Sequence, residues 1–250
     1  MNYLVPALSA IIERRLLINY RLDPSVAETL LPEGLRPQLV DGSAVAGVCL
    51  IRLGSLRPEW MPAAIGWRAE NAAHRIAVEW DDAGGTHQGV YIPVRHSASW
   101  LPVAVGGRFF PGVHRHASFT GSETPNRIRV DLSASDLRVS ADVAVVEEWS
   151  SGLFPSVDDA SAFFRAGSTG WSPRRRGAEL HGLNLETNQW RVQPGRMLNV
   201  ESSFFDALPE GSARFDSVLV MRDVPIAWGV PPRLGHITPA ARASSASIPG

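Results

Sequence analysis

The sequence predicts an α+β fold that is mostly antiparallel β, with a few short helices. Most of the chain consists of short apolar runs or of runs in which polar and apolar residues alternate, and a period of two is typical of strands buried on one face. Turn-rich segments, such as residues 81–85, separate these runs. Many short strands and few helices together predict a barrel or a sandwich.

The elements follow in chain order. The first strand covers residues 16–22, and Asp23 with Pro24 then begins a short helix that Pro32 to Gly34 end. Further strands are predicted over residues 44–53, 74–80, 90–95, 114–120, 127–132, 137–146, 178–185, 189–192, 198–205 and 213–220. Two more helices are predicted over 97–105 and 158–166, and either Ser156 or Asp158 begins the second.

Length and composition predict one continuous domain over residues 1–230. The chain has 250 residues of which 44% are hydrophobic, enough for a sizeable core, and no Gly/Ser/Pro-rich linker or charge block divides it. From about Pro231 the composition changes to Ala, Ser, Pro and Arg, which predicts a disordered tail over 231–250.

Charge and hydropathy limit the expected partners. A formal net charge of −1 gives no electrostatic reason to expect nucleic acid or an anionic membrane. No apolar stretch approaches the roughly 18 residues of a membrane span, so a cytoplasmic protein with a small-molecule partner is expected, and a homo-oligomer is left open. The basic run Arg174 to Arg176 favours a solvated loop over an anion site. Cys49 is alone and favours a small buried hydrophobe over a nucleophile.

The chain contains no lysine, and all 24 of its basic residues are arginine. A Schiff base needs a primary amine that can lose its proton, whereas a guanidinium keeps its proton in proteins. Imine catalysis by a lysine side chain is therefore excluded. No dinucleotide-binding, P-loop or nucleophile-elbow motif is present either, and no cofactor is predicted.

Several segments carry a resemblance to a known family. Residues 13–37 and 41–56 resemble the YqjF-like family of uncharacterised proteins, which is related to acetoacetate decarboxylase. Residues 67–70, 89–94, 104–108 and 110–116 are similar to decarboxylase segments in order and spacing. The resemblance implies an acetoacetate decarboxylase-like, cone-shaped β-barrel around a small-molecule cavity.

The resemblance also implies site residues, and it fails at the nucleophile. Arg115 and His116 stand where the family has its reactive lysine and the neighbour that lowers its pKa, and neither can form an imine. Glu70 matches the family's glutamate. Either Arg15 or Arg21 matches a family arginine, and the resemblance does not choose between them.

Strand alternation sends His114 and His116 to one face and Arg115 to the other. Three interpretations stay open. The histidines are general acid-base groups, or they form a His-x-His metal pair completed by Glu70, Glu79 or Glu201, or this face is structural and solvated.

Three polar residues of one predicted strand lie outside the His-x-His segment. Arg75 and Glu79 share a strand face and form either a charge pair across a cavity or, by default, a surface ion pair. His74 on the opposite face favours packing.

These patterns predict a lysine-independent enzyme that acts on a small carbonyl-bearing substrate, such as a lyase, dehydratase or cyclase of secondary metabolism. Arg115 would hold a carboxylate or enolate, while His114, His116 and Glu70 move protons. The other candidate substrate-binding residues are Arg21, Tyr91 and Glu201. A non-catalytic ligand-binding barrel and a metal-dependent enzyme are the alternatives.

Overall fold

The computed structural model describes residues 8–100, 112–173 and 180–229. Its helices are α1 (Pro24–Thr29), α2 (Val157–Ala166) and α3 (Ser203–Asp206), with a 3-10 turn at Ala63–Ile65. Its strands are β1 (Leu8–Leu22), β2 (Arg36–Pro37), β3 (Leu39–Val40), β4 (Ser43–Pro58), β5 (Trp67–Asp82), β6 (Gly85–Tyr91), β7 (Arg95–Ser97), β8 (His114–His116), β9 (Ser118–Thr124), β10 (Arg127–Ser133), β11 (Arg138–Val145), β12 (Thr169–Pro173), β13 (Leu180–Glu186), β14 (Gln193–Ser202) and β15 (Ala213–Gly229).

Seven strands form a closed ring. They are hydrogen-bonded in the order β1-β4-β5-β6-β12-β13-β15, and β15 pairs again with β1. All neighbours in the ring are antiparallel except β6 and β12. The ring has two faces because successive side chains of a strand point to opposite sides of the sheet.

Four further strands extend the sheet from β15 in the order β14-β11-β10-β9. Their apolar side chains, including Ile128, Val130 and Val139, share one buried cluster with Leu16 and Ile18 of β1. The main core therefore lies between the outer face of the ring and these four strands, which we call the outer sheet.

Helix α2 covers a second apolar cluster. Its buried residues Ala160 and Phe164 pack with Leu17 of β1 and Cys49 of β4. Ser156 is the N-cap, and its hydroxyl accepts a hydrogen bond from the Asp159 N–H at 3.1 Å. Leu17 therefore faces away from the outer sheet, whereas its neighbours Leu16 and Ile18 face it.

Most predicted elements are present, with several corrections. Residues 90–95 do not form one strand, because β6 ends at Tyr91 and β7 begins at Arg95, and Pro93 between them has no N–H to donate. Residues 114–120 are interrupted at Ala117. Strand β14 ends at Ser202, so Phe204 and Phe205 are helical, and Phe205 stacks on Tyr20 with ring centroids 3.9 Å apart.

Other predicted segments differ or lie elsewhere. Residues 189–192 lie before β14 and are not a strand, while β12 was not predicted. Ser97 ends β7, so the helix predicted over 97–105 does not begin there, although Trp100 is helical. Residues 101–105 lie outside the described ranges. The basic run Arg174 to Arg176 and the predicted tail at 231–250 also lie outside them.

Candidate functional site

A cavity of about 150 Å³ lies inside the ring. Every ring strand contributes to its wall, as do α2, β7 and β8. The described lining is mostly apolar, and a mostly apolar wall with a few polar groups is the usual character of a ligand site. The lining residues include Ile12, Leu17, Ile51, Leu53, Leu56, Val90, Ile92, Phe164, Leu183, Leu185, Trp190, Ile226 and Trp228.

Three arginines line the part of this cavity that the structure describes: Arg15 of β1, Arg75 of β5 and Arg95 of β7. Strand register brings them to one face. Leu17, Cys49, Ala73 and Arg95 are paired in one row across β1, β4, β5 and β7. Arg15 and Arg75 lie two residues from this row on their own strands, so their side chains point to the same side of the sheet.

Arg75 is only 4% exposed. Its Nη2 donates to Asn19 Oδ1 at 2.5 Å and its Nε to Cys49 Sγ at 3.2 Å. Its guanidinium carbon lies 4.4 Å from the centroid of the Phe164 ring, within range of a cation–π contact. Its Nη1 is buried and has no hydrogen-bond acceptor among the described residues. Burial lowers the pKa of Arg75.

Arg95 and Arg15 also have N–H groups without a described partner. Arg95 Nη2 donates to Ser172 Oγ at 3.3 Å, while its Nε is buried and unpaired. Arg15 Nη2 donates to Cys49 Sγ at 3.5 Å, and its Nε is likewise buried and unpaired. Burial lowers the pKa of Arg95 to about 10, so this guanidinium is still charged at neutral pH.

No aspartate or glutamate is found in the part of the cavity wall that the structure describes. Unpaired buried N–H groups and uncompensated charges cost free energy, unless a partner satisfies them. Guanidinium groups bind carboxylates and phosphates with strong, charge-assisted hydrogen bonds. The cavity is therefore suited to a small anion with an apolar part.

The His-x-His segment forms β8, and each of its three residues has different surroundings. β7 and β8 are parallel neighbours, and His114 is in register with Arg95. His114 lines the cavity. His116 lies on the same face two residues further on, and its ring stacks on Trp100 with centroids 4.0 Å apart.

Arg115 lies on the opposite face and is not among the described cavity residues. Its side chain is 50% exposed and forms an ion pair with Asp136. Asp136 also lies 3.3 Å from Nε2 of the buried His96. Strand alternation thus directs Arg115 away from the cavity wall that the structure describes.

Glu70 also lies outside the cavity wall. Its carboxylate is 2.5 Å from Arg14 Nη2 and 2.8 Å from Arg52 Nε. Glu123 contacts both arginines, and its Oε1 lies 3.2 Å from Arg222 Nε. We call these five residues the charge cluster. Asn71, the next residue after Glu70, lines the cavity instead, because adjacent strand residues face opposite sides.

The other predicted binding residues are also elsewhere. Arg21 is largely exposed near Asp216, and Glu201 is exposed on β14. Tyr91 is buried in the core between the ring and the outer sheet, and this burial raises the pKa of its phenol. Of the two arginines left open by the resemblance, Arg15 lines the cavity.

The sequence alone leaves Arg15 as one of two alternatives, gives Arg75 a surface pair by default and does not single out Arg95. In the structure Glu79 lies 3.4 Å from Arg36 rather than beside Arg75. The available signal for Arg75 is a charged residue that, with His74, interrupts the apolar run 72–78. His74, the preceding residue, is a buried packing histidine whose Nε2 lies 3.2 Å from Ser202 Oγ.

The described residues contain no group of three or more His, Cys, Asp or Glu that could hold a metal ion. No helix among them is long and apolar enough to cross a bilayer.

Comparison with known sequences gives the family. The model of the DUF2071 family, described as an uncharacterised conserved protein, matches residues 10–221. The chain belongs to the DUF2071 family. This confirms the YqjF-like resemblance of the sequence. No curated protein sequence matches this DUF2071 chain.

Solved structures show the same fold at low sequence identity. An acetoacetate decarboxylase-like enzyme from Sphingomonas wittichii RW1 matches with a TM-score of 0.57 and 15% identity, over 92% of both chains. Acetoacetate decarboxylase from Legionella pneumophila matches with a TM-score of 0.60 and 14% identity, over 91% of this chain and 87% of the other. MppR, an enduracididine biosynthesis enzyme solved with pyruvate, matches with a TM-score of 0.53 and 15% identity, over 89% and 88%. The predicted acetoacetate decarboxylase-like fold is confirmed.

Proposed function

We propose that this DUF2071 protein is an enzyme that acts on a small carbonyl compound bearing a carboxylate, without a lysine Schiff base. The observation that carries the proposal is the convergence of Arg15, Arg75 and Arg95 on one cavity whose described wall contains no acid. Each of the three has a buried N–H that no described residue accepts. A bound anion would satisfy these groups.

The number of guanidiniums supports a substrate with two acceptor groups. A carboxylate is bound by one or two of them, which leaves another to donate a hydrogen bond to a carbonyl oxygen. Negative charge develops on that oxygen when the neighbouring carbon loses a proton or a carboxylate. Donors already oriented in a site with little water stabilise such charge strongly. The guanidiniums would thus take over the electron-withdrawing role that an imine has in a lysine enzyme.

Cavity size narrows the substrate class. A cavity of about 150 Å³ accommodates a molecule the size of benzene, with about six non-hydrogen atoms. A keto acid of three carbons has six non-hydrogen atoms and one of four carbons has seven, so both are close to this size. MppR, which shares the fold, has been solved with pyruvate, a keto acid of three carbons. A lyase, dehydratase or cyclase reaction on such a compound is the activity we propose.

A non-catalytic ligand-binding protein is the second candidate. It is favoured by the placement of Glu70, because the carboxylate expected to move protons is held by Arg14 and Arg52 outside the cavity. A binding protein would retain the ligand unchanged. An enzyme would exchange its protons or convert it.

Calorimetric titration with pyruvate tests the binding part of the proposal. We expect the wild-type protein to bind pyruvate and Arg75→Met to bind at least tenfold more weakly, a loss of about 1.4 kcal/mol or more. Arg115→Met is the matched control, since it removes a guanidinium outside the cavity, and its affinity should equal that of the wild type. Equal affinities of wild type and Arg75→Met would refute the site.

Product analysis tests the catalytic part. Pyruvate and acetoacetate are incubated with the protein and followed by NMR, and borohydride is added to parallel samples before mass spectrometry. Conversion or proton exchange without a covalent adduct is the expected result. A stable adduct on an internal residue would contradict a mechanism without a Schiff base, and binding with neither conversion nor exchange would favour the second candidate.

A further inference from the structure

We propose that Cys49 is a catalytic residue of this cavity: a thiolate held between Arg15 and Arg75 that takes a proton from the carbon beside the substrate's carbonyl group and later returns it. This inference rests on the proposed function and names the group that moves the proton. Cys49 is the single cysteine of the chain.

The position of the sulfur carries the inference. Cys49 is 2% exposed and lines the cavity from β4, the strand between those of Arg15 and Arg75. Arg75 Nε lies 3.2 Å from its Sγ and Arg15 Nη2 lies 3.5 Å from it. Two cations therefore donate to one sulfur atom. A neutral thiol is a weak acceptor, whereas a thiolate is a full counter-charge where no described carboxylate is present.

The surrounding charges agree with a thiolate. Burial by itself raises the pKa of the Cys49 thiol, but Arg15 and Arg75 outweigh it, and the pKa is lowered below its ordinary value. Arg95 and His96 of β7 and His114 of β8 line the same cavity, while α2 contributes the aromatic ring of Phe164. Every charged group that faces Cys49 in the described wall is thus basic.

An independent feature points to a ligand beside the sulfur. Arg75 is buried to more than nine-tenths, and its Nη1 has no described acceptor although its Nε and Nη2 do. The same guanidinium therefore holds the sulfur on one side and offers a free N–H on another. A substrate anion bound to that N–H would lie next to Cys49.

The proton transfer is balanced within the site. The C–H bond beside the carbonyl group breaks, and its proton forms an S–H bond with Cys49. The electron pair of the C–H bond moves into the carbonyl group and gives an enolate, whose oxygen accepts hydrogen bonds from a guanidinium. The S–H group exchanges its proton with water while the enolate stays bound. Protonation of the carbon by the S–H group then reverses the step, restores the thiolate and places a solvent hydrogen on the carbon. The step needs no oxidant or metal, and the sulfur forms no bond to the substrate.

Ultraviolet titration of thiolate absorbance tests the charge of Cys49 directly, because there is one cysteine and no reagent has to enter the cavity. In the wild type we expect the thiolate to be the main form at pH 7. Cys49→Ser should lack the signal, and Arg75→Met should move its midpoint to higher pH. A wild-type midpoint at or above about 8.5, the ordinary value for cysteine, would overturn the proposal.

Exchange of the methyl protons of pyruvate in deuterated water tests the catalytic role. By NMR, we expect the wild type to catalyse exchange and Cys49→Ser to slow it by about 100-fold or more, the range lost with a general base. Calorimetry on the same samples should show pyruvate affinity within about threefold of the wild type, a difference under about 0.7 kcal/mol.

The two readouts separate the two proposals. If Cys49→Ser binds pyruvate and exchanges its protons as fast as the wild type, Cys49 is not the base, while the binding site stands. Pyruvate binding by the wild type without any exchange also overturns the role of Cys49. If no keto acid binds to the wild type, the proposed function itself fails, and the role of Cys49 fails with it.

Discussion

Arg14 Nη2 lies 2.5 Å from Glu70 Oε2, although strand β4 separates the strands of the two residues. Arg52 of that intervening strand donates to the other carboxylate oxygen at 2.8 Å. The Arg14 side chain is 2% exposed, so its charge is compensated by protein groups rather than by water. Glu123 of β9 and Arg222 of β15 extend these contacts from the ring to the outer sheet. The charge of Glu70 therefore stabilises the fold outside the cavity.

Removing the charge of Glu70 should destabilise the protein without changing its affinity for the ligand. Glu70→Gln leaves the buried guanidinium of Arg14 with the more distant Glu123, so we expect the free energy of unfolding to fall by about 3 kcal/mol in chemical denaturation. Pyruvate affinity should stay at the wild-type value. Glu79→Gln, at a partly exposed pair with Arg36, is the control and should cost under about 1 kcal/mol. If Glu70→Gln has normal stability but no longer binds pyruvate, Glu70 takes part in ligand binding and not in stabilising the fold.

Arg75→Met should weaken ligand binding and also lower stability. The wild-type guanidinium donates to the buried Asn19 Oδ1 and to Cys49 Sγ, and removing one partner of a buried hydrogen bond leaves the other unsatisfied at a cost of about 1–3 kcal/mol. Chemical denaturation without ligand should therefore give an unfolding free energy about 1–3 kcal/mol lower than that of the wild type. An unchanged free energy of unfolding would mean that the contacts with Asn19 and Cys49 contribute little to the fold.

Acid should destabilise the protein in part through His74. Burial lowers the pKa of His74 to about 3, whereas the unfolded chain has a histidine pKa of about 6.5. Between these values the unfolded state binds the extra proton, so the free energy of unfolding decreases as pH falls, by at most about 1.4 kcal/mol per pH unit. His74→Gln cannot take up this proton, and its stability should depend less steeply on pH between about 6.5 and 3. Equal slopes for the two proteins would show that His74 titrates normally in the fold.

Phe164 should control both stability and ligand size. It is buried, lines the cavity and lies against Arg75. Phe164→Ala should lower the free energy of unfolding by about 3–5 kcal/mol and enlarge the cavity. Calorimetry gives the affinity of each protein for a five-carbon keto acid and for pyruvate. The ratio of the first affinity to the second should be higher for the variant than for the wild type. Phe163→Ala, a partly buried neighbour that does not line the described cavity, should leave this preference unchanged.

Local sequence patterns were sufficient for much of the fold. Alternation predicted most strands, since a strand buried on one face needs an apolar residue at every second position. Asp23 marked the start of α1, and Ser156 was one of two candidates for the start of α2, because such side chains accept hydrogen bonds from the first free N–H groups of a helix. Long strands were underestimated: β5 and β15 run to 16 and 17 residues, whereas the predicted strands cover only residues 74–80 and 213–220 of them.

Sequence alone also determined that a lysine imine is impossible, because that conclusion depends only on which side chains exist. It could not determine which of the arginines share a cavity. Arg14 and Arg15 are adjacent, and alternation states only that they face opposite sides. The pairing register of β1, β4 and β5 decided that Arg14 meets Glu70 and that Arg15 meets Cys49, since Arg14, Arg52 and Glu70 stand in one row across these strands. Those contacts join residues distant in the chain, and no local pattern specifies such a distance.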